Sequence, residues 1–83
     1  MFRERLAQVM QAQREARGDD PKDGATHETI LGIFQALYQG DITAGRAIYL
    51  LNYQAMHWAD EPAQGALYRQ AAAAIRRLPR EER

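Results

Sequence analysis

The central segment, residues 43–60, is the feature that most constrains the fold. Its apolar side chains recur at steps of four and three, at Ala44, Ile48, Leu51, Ala55 and Trp58. This spacing places them on one face of an α-helix, and no proline interrupts it. The segment is therefore predicted to be one long helix.

A second line of side chains runs beside this seam at steps of four: Tyr49, Tyr53 and His57. Residues four apart on a helix are neighbours on its surface. A helix that is apolar on two sides is either central in a bundle or keeps one side for a partner. Both interpretations of the second line are open at this point.

The remaining sequence is also helical in pattern, because no segment alternates apolar and polar residues as a strand would. The predicted helices are residues 2–17, 26–39, 43–60 and 62–78. Residues 19–24 have the composition of a loop, so Asp23 or Thr26 is expected to cap the second helix. Thr43 is expected to cap the third, and Pro62 to begin the fourth.

These helices predict an all-α fold, a small compact bundle of three to four short helices in a single domain. A chain of 83 residues is near the size at which one hydrophobic core is marginal. The predicted core is Leu6, Val9, Ile30, Ile33, Phe34, Leu37, Ile48, Leu51, Trp58, Leu67, Ile75 and Leu78.

Composition excludes several classes of chemistry. The sequence has no cysteine and no serine, which rules out disulfides, thiolate zinc sites and serine nucleophiles. His57 is spaced as half a metal site with Asp60 or Glu61, but His27 is the only other imidazole. We therefore expect no enzymatic activity, no metal and no cofactor.

The length and position of apolar runs in the sequence predict the cellular compartment. The sequence begins without the apolar stretch of a secretory signal. It also has no run near the roughly 20 apolar residues that span a bilayer. We expect a cytoplasmic protein that does not contact a membrane.

Residues Leu37 to Ala47, with the sequence LYQGDITAGRA, carry a family resemblance. With the residues up to Trp58, this stretch resembles the helix-turn-helix segment of small prokaryotic antitoxin-like regulators. The resemblance implies a turn at Asn52 to Gln54 and a recognition helix from Gln54 to Glu61. It would make the protein a DNA-binding regulator of antitoxin or repressor type, with the DNA contacts made by Arg46, Gln54 and His57.

The charge pattern opposes this alternative. The recognition helix that it requires contains no lysine or arginine and carries Asp60 and Glu61, whereas phosphate contacts normally supply much of the affinity for DNA. Basic residues concentrate instead after position 68, where five arginines accompany two glutamates.

The favoured hypothesis is a small non-enzymatic protein that binds a larger protein complex and inhibits or modulates it by steric occlusion. Small phage, plasmid and mobile-element proteins act in this way. Aromatic side chains are enriched at interface hot spots, and arginines can steer association electrostatically. The candidate contact residues are Tyr49, Tyr53, His57, Arg69, Arg76 and Arg80. A homodimer is compatible with either hypothesis.

Overall fold

The computed structural model describes residues 1–16, 18 and 20–79. Four α-helices account for most of this part of the chain and pack as a compact bundle, which confirms the predicted all-α fold. The helices are α1 (Phe2–Glu15), α2 (Pro21–Gln39), α3 (Ala44–His57) and α4 (Pro62–Arg76).

Helix α2 begins five residues earlier than predicted, so the predicted loop over residues 19–24 is wrong for positions 21–24. Pro21 is the first helical residue, and the side chain of Asp20 accepts a hydrogen bond from the Lys22 amide at 2.9 Å. Proline suits the first helical position because its missing N–H would have had no partner there. Thr26 is consequently not a cap but an interior helical residue.

Helix α3 is continuous from Ala44 to His57, with Thr43 as its N-cap as predicted. The Thr43 hydroxyl accepts a hydrogen bond from the Arg46 amide at 3.1 Å. The turn that a helix-turn-helix requires at Asn52 to Gln54 is absent, because these residues lie inside the helix. The helix also ends three residues before position 60, since a tight turn at Trp58 to Asp60 leads into α4.

The ends of the other helices lie close to the predicted ones. Gly40 ends α2 with a φ of 82°, a left-handed conformation that glycine adopts without steric cost. Helix α1 ends at Glu15 and α4 at Arg76, each two residues earlier than predicted. The predicted last residue of the first helix, position 17, lies outside the described residues.

All four helices contribute to the buried core. Its members are Phe2, Leu6, Met10, Ile30, Phe34, Leu37, Ala47, Leu51, Ala55, Tyr68, Ala71, Ala72 and Ile75. Six of the twelve predicted core residues are in this set, and the other six (Val9, Ile33, Ile48, Trp58, Leu67 and Leu78) are half-buried against it. On α4, the predicted core residue Leu67 is half-buried, whereas its neighbour Tyr68 is buried.

Helices α3 and α4 form the most extensive helix pair of the bundle. Small side chains, Ala47, Ala55, Ala71 and Ala72, line the buried faces of these two helices. At Gly65, a Cβ atom would lie 3.4 Å from the carbonyl oxygen of Ala55, an ordinary van der Waals distance, so α4 runs close to the α3 backbone at this point.

Candidate functional site

The outer face of α3 carries a ladder of three exposed rings. The ring centroids of Tyr49 and Tyr53 are 6.4 Å apart, and those of Tyr53 and His57 are 6.3 Å apart with planes tilted by 22°. The guanidinium of Arg46 lies 5.1 Å from the centroid of the Tyr49 ring. We call Tyr49, Tyr53 and His57 the aromatic ladder.

The ladder faces outward because of helical geometry. Ala47, Leu51 and Ala55 recur at steps of four and are buried. Each ladder residue follows one of them by two positions, which corresponds to about 200° around the helix axis. The face that packs on the rest of the bundle therefore directs the rings to the opposite side.

The exposure of the ladder is unusual for rings of this size. Tyr49 is 55% exposed, Tyr53 is 53% exposed, and Met56 beside them is 77% exposed. Offset and tilted ring pairs at these separations attract one another, so the ladder is already ordered by its own contacts. A contiguous exposed apolar surface is characteristic of an interaction site.

The candidate arginines stand apart from the ladder. Arg69 and Arg76 are exposed on α4, whereas Arg80 lies outside the described residues. Within residues 20–79, no ring contact or ion pair joins Arg69 or Arg76 to the ladder. The structure places Arg46 against Tyr49. Arg46 was predicted to contact DNA, whereas the tyrosines were predicted to contact a partner protein.

The residues of the DNA alternative occupy one helix rather than two. Gln54 is half-buried in the last turns of α3, and His57 stacks on Tyr53. No separate recognition helix is formed over 54–61, because 58–60 form the turn between α3 and α4.

A buried polar layer connects α2 to α4, and no sequence pattern indicated it. The Thr26 hydroxyl donates a hydrogen bond to Gln64 Oε1 at 2.6 Å, and Gln64 Nε2 donates to Asp23 Oδ1 at 2.8 Å. Thr26 and Gln64 are almost completely inaccessible to solvent. Polar residues at helical spacing normally indicate a solvated face, so only the packing of two helices reveals this layer.

His27 belongs to the same interior region. Its ring Nδ1 is hydrogen-bonded to the side-chain amide of Gln13, which connects α2 to α1. Only 3% of His27 is exposed.

At the helix surface, Lys22 and Glu61 form an ion pair at 2.7 Å. The hydrogen bond and the charge of Glu61 raise the pKa of the Lys22 ammonium.

The Thr26 hydroxyl is hydrogen-bonded to the amide oxygen of Gln64, and the imidazole of His27 to the side-chain amide of Gln13. No group of three histidine, aspartate or glutamate side chains able to hold a metal occurs in the described part of the chain. The described helices also include none whose length and apolar character would let it cross a bilayer.

A groove of about 470 Å³ lies between α1 and the end of α4. Val9, Ala12 and Leu78 are among its apolar lining residues, and Arg5 and Arg77 carry its charge. It contains none of the ladder residues.

Comparisons with protein-family models, curated proteins and solved structures find no match to this chain.

Proposed function

We propose that this protein is a non-enzymatic binding module that docks on a larger protein or protein complex and modulates it by steric occlusion. The observation that carries the proposal is the exposed aromatic ladder on the outer face of α3. Tyrosine is among the residues that contribute most to interface hot spots.

The arrangement supports a particular docking mode, in which α3 inserts its outer face into an apolar groove of the partner. Helix-in-groove recognition uses anchors at steps of three, four and seven residues. Arg46, Tyr49, Tyr53 and Met56 have this spacing and are all exposed. They cover about 15 Å of helix, which is a small contact surface.

Order within the ladder favours affinity. A flexible side chain loses conformational entropy when it is fixed at an interface. Here each ring already contacts the next, and Arg46 contacts the first, so less freedom is lost on binding. The exposed Arg69 and Arg76 of α4 would attract an acidic partner from a distance and accelerate encounter.

The test is an affinity capture from the lysate of the native host with three tagged baits: the wild type, Tyr49→Ala/Tyr53→Ala, and the control Gln35→Ala/Gln70→Ala. The control removes two exposed side chains elsewhere. We expect one large protein to be retained by the wild type and the control and lost from the tyrosine variant. Circular dichroism of each bait establishes that the bundle is intact.

Each capture is repeated after nuclease treatment to address the DNA-binding alternative. Retention that survives nuclease and requires the tyrosines supports the proposal. Equal retention by all three baits would overturn the assignment of the ladder. Partners lost after nuclease would favour the DNA-binding regulator, with Arg46, Gln54 and His57 as the residues to change next.

A further inference from the structure

The outer face of α3 is complementary to itself when one copy is turned end to end. Positions 46 and 60 are each seven residues from Tyr53, positions 49 and 57 are each four, and positions 50 and 56 are each three. In two antiparallel copies of α3 related by a two-fold axis at Tyr53, each helical position therefore lies at the level of its counterpart, and Asp60, in the turn after α3, lies near the end at which Arg46 of the other copy stands. The axis places Tyr53 against itself.

The residue types at these positions match as pairs. Tyr49 lies opposite His57, which are two rings, and the half-buried Leu50 lies opposite the exposed Met56, which are two apolar side chains. At the ends, Arg46 of one copy approaches Asp60 of the other. All of these side chains are exposed or half-buried in the single chain, so none must leave the core to make the contact.

Electrostatics favours the antiparallel arrangement over the parallel one. Arg46 is in the first turn of α3, whereas Asp60 is exposed in the turn just after its last residue. The free carbonyl groups at the end of a helix add partial negative charge at that same end. A parallel pair would bring Arg46 against Arg46 and Asp60 against Asp60, which is repulsive.

We infer that the outer face of α3 binds a second copy of this chain in an antiparallel two-fold dimer centred on Tyr53. The interface is isologous, as in most homodimers. Because it is formed by one short helix from each copy, it is small and the dimer dissociates readily. The dimer also removes the aromatic ladder from solvent.

This inference does not depend on the proposed function, but the two combine into a regulatory device. A larger partner that docks on the ladder competes with the second copy. At high protein concentration, self-association would then cover the docking face of α3, and dilution would expose it again. The experiment below uses only the isolated protein, so its result is independent of any larger partner.

The test exploits the two-fold symmetry with charge reversals. Arg46→Glu places glutamate opposite Asp60, and Asp60→Arg places arginine opposite Arg46, at both ends of the dimer in each case. Sedimentation velocity is measured over a concentration series that reaches millimolar protein. We expect the wild type to dimerise and each single variant to have a dissociation constant raised by about tenfold.

An equimolar mixture of the two variants should recover wild-type association. At one end of the mixed dimer the introduced glutamate faces the introduced arginine, and at the other end the native Asp60 faces the native Arg46. The double variant Arg46→Glu/Asp60→Arg should recover association alone. Matched controls are Arg14→Glu and Glu4→Arg, which reverse an exposed arginine and an exposed glutamate of α1; alone or mixed, they should associate as the wild type does.

A wild type that stays monomeric throughout the series would overturn the inference. A dimer that the reversals do not weaken would equally overturn it, as would single variants whose mixture fails to recover association. Recovery in the mixture would establish both the face and the antiparallel register.

Discussion

The two histidines of this chain show how differently similar groups are used in two regions of the bundle. His27, in the first half of α2, is 3% exposed and hydrogen-bonded to Gln13. His57, at the end of α3, is exposed and stacked on Tyr53. A ring nitrogen of His27 is hydrogen-bonded within the fold, whereas the ring of His57 lies on the exposed outer face of α3.

The same contrast holds for the neighbourhoods of the two histidines. The polar layer of Asp23, Thr26 and Gln64 is paired within the chain, and no buried side-chain nitrogen or oxygen lacks a hydrogen-bond partner in the described part. The ladder on α3 consists of apolar and aromatic surface that folding leaves exposed. The side chains of the polar layer are therefore engaged within the fold, whereas the ladder is left available for the proposed contacts.

The largest effect on stability is expected from breaking the polar layer at Gln64. Gln64→Leu removes the acceptor of the Thr26 hydroxyl in a buried region and the donor to Asp23 in a half-buried one. Leaving a buried group unsatisfied costs about 1–3 kcal/mol, so the free energy of unfolding should fall by about that amount in urea titrations. Gln70→Leu, on the exposed side of the same helix, is the control.

A double-mutant cycle sharpens this result. Thr26→Val/Gln64→Leu removes both partners of the hydrogen bond between these two side chains, so the loss should be smaller than the sum of the single losses by about 1 kcal/mol. Strict additivity would mean that the bond between these side chains contributes nothing to the packing of α2 on α4.

A smaller effect on the free energy of unfolding is expected from replacing the histidines, and the two replacements should differ. His27→Ala should lower the free energy of unfolding by about 2 kcal/mol, because it opens a cavity and leaves the Gln13 amide without its partner. His57→Ala should change it by less than about 0.5 kcal/mol, as is usual at the surface. Thermal unfolding of the two variants measures the difference, and equal losses would contradict the division into interior and outer regions.

The smallest effect is expected at the exposed ion pair of Lys22 and Glu61. Glu61 raises the pKa of Lys22 above the ordinary value of 10.5. The contribution of the ion pair to stability is therefore present below that pH. It is lost as the pH rises through the raised value. Lys22→Met should scarcely shift the urea midpoint at neutral pH, and added salt should reduce even that shift. A large shift at neutral pH would show that this pair belongs with the interior layer.

The sequence was a sound guide wherever a local rule decides the structure. Thr43, Gly40 and Pro62 mark helix ends by capping, left-handed backbone and fixed φ, all of which are properties of a few consecutive residues. The start of α2 was missed although Pro21 obeys the same rule as Pro62, because the aspartates and glycine around it resemble a loop. Here the Asp20 cap outweighs the composition of the segment.

The line of three rings could be predicted from the sequence, but its surroundings could not. Steps of four placed Tyr49, Tyr53 and His57 on one line of α3, and the structure confirms that they are neighbours on one face. Periodicity could not say whether that line was buried, because both lines of α3 are apolar. The packing of the bundle places Ala47, Leu51 and Ala55 in the interior.

The sequence by itself determined the all-α class and most of the helix ends, because helix formation follows local periodicity and capping. Only the tertiary structure decided that Thr26, His27 and Gln64 are buried and that the ladder is exposed. Burial depends on which helices meet, and hydrogen bonds between residues 38 positions apart, such as Thr26 with Gln64, are not encoded in any local pattern.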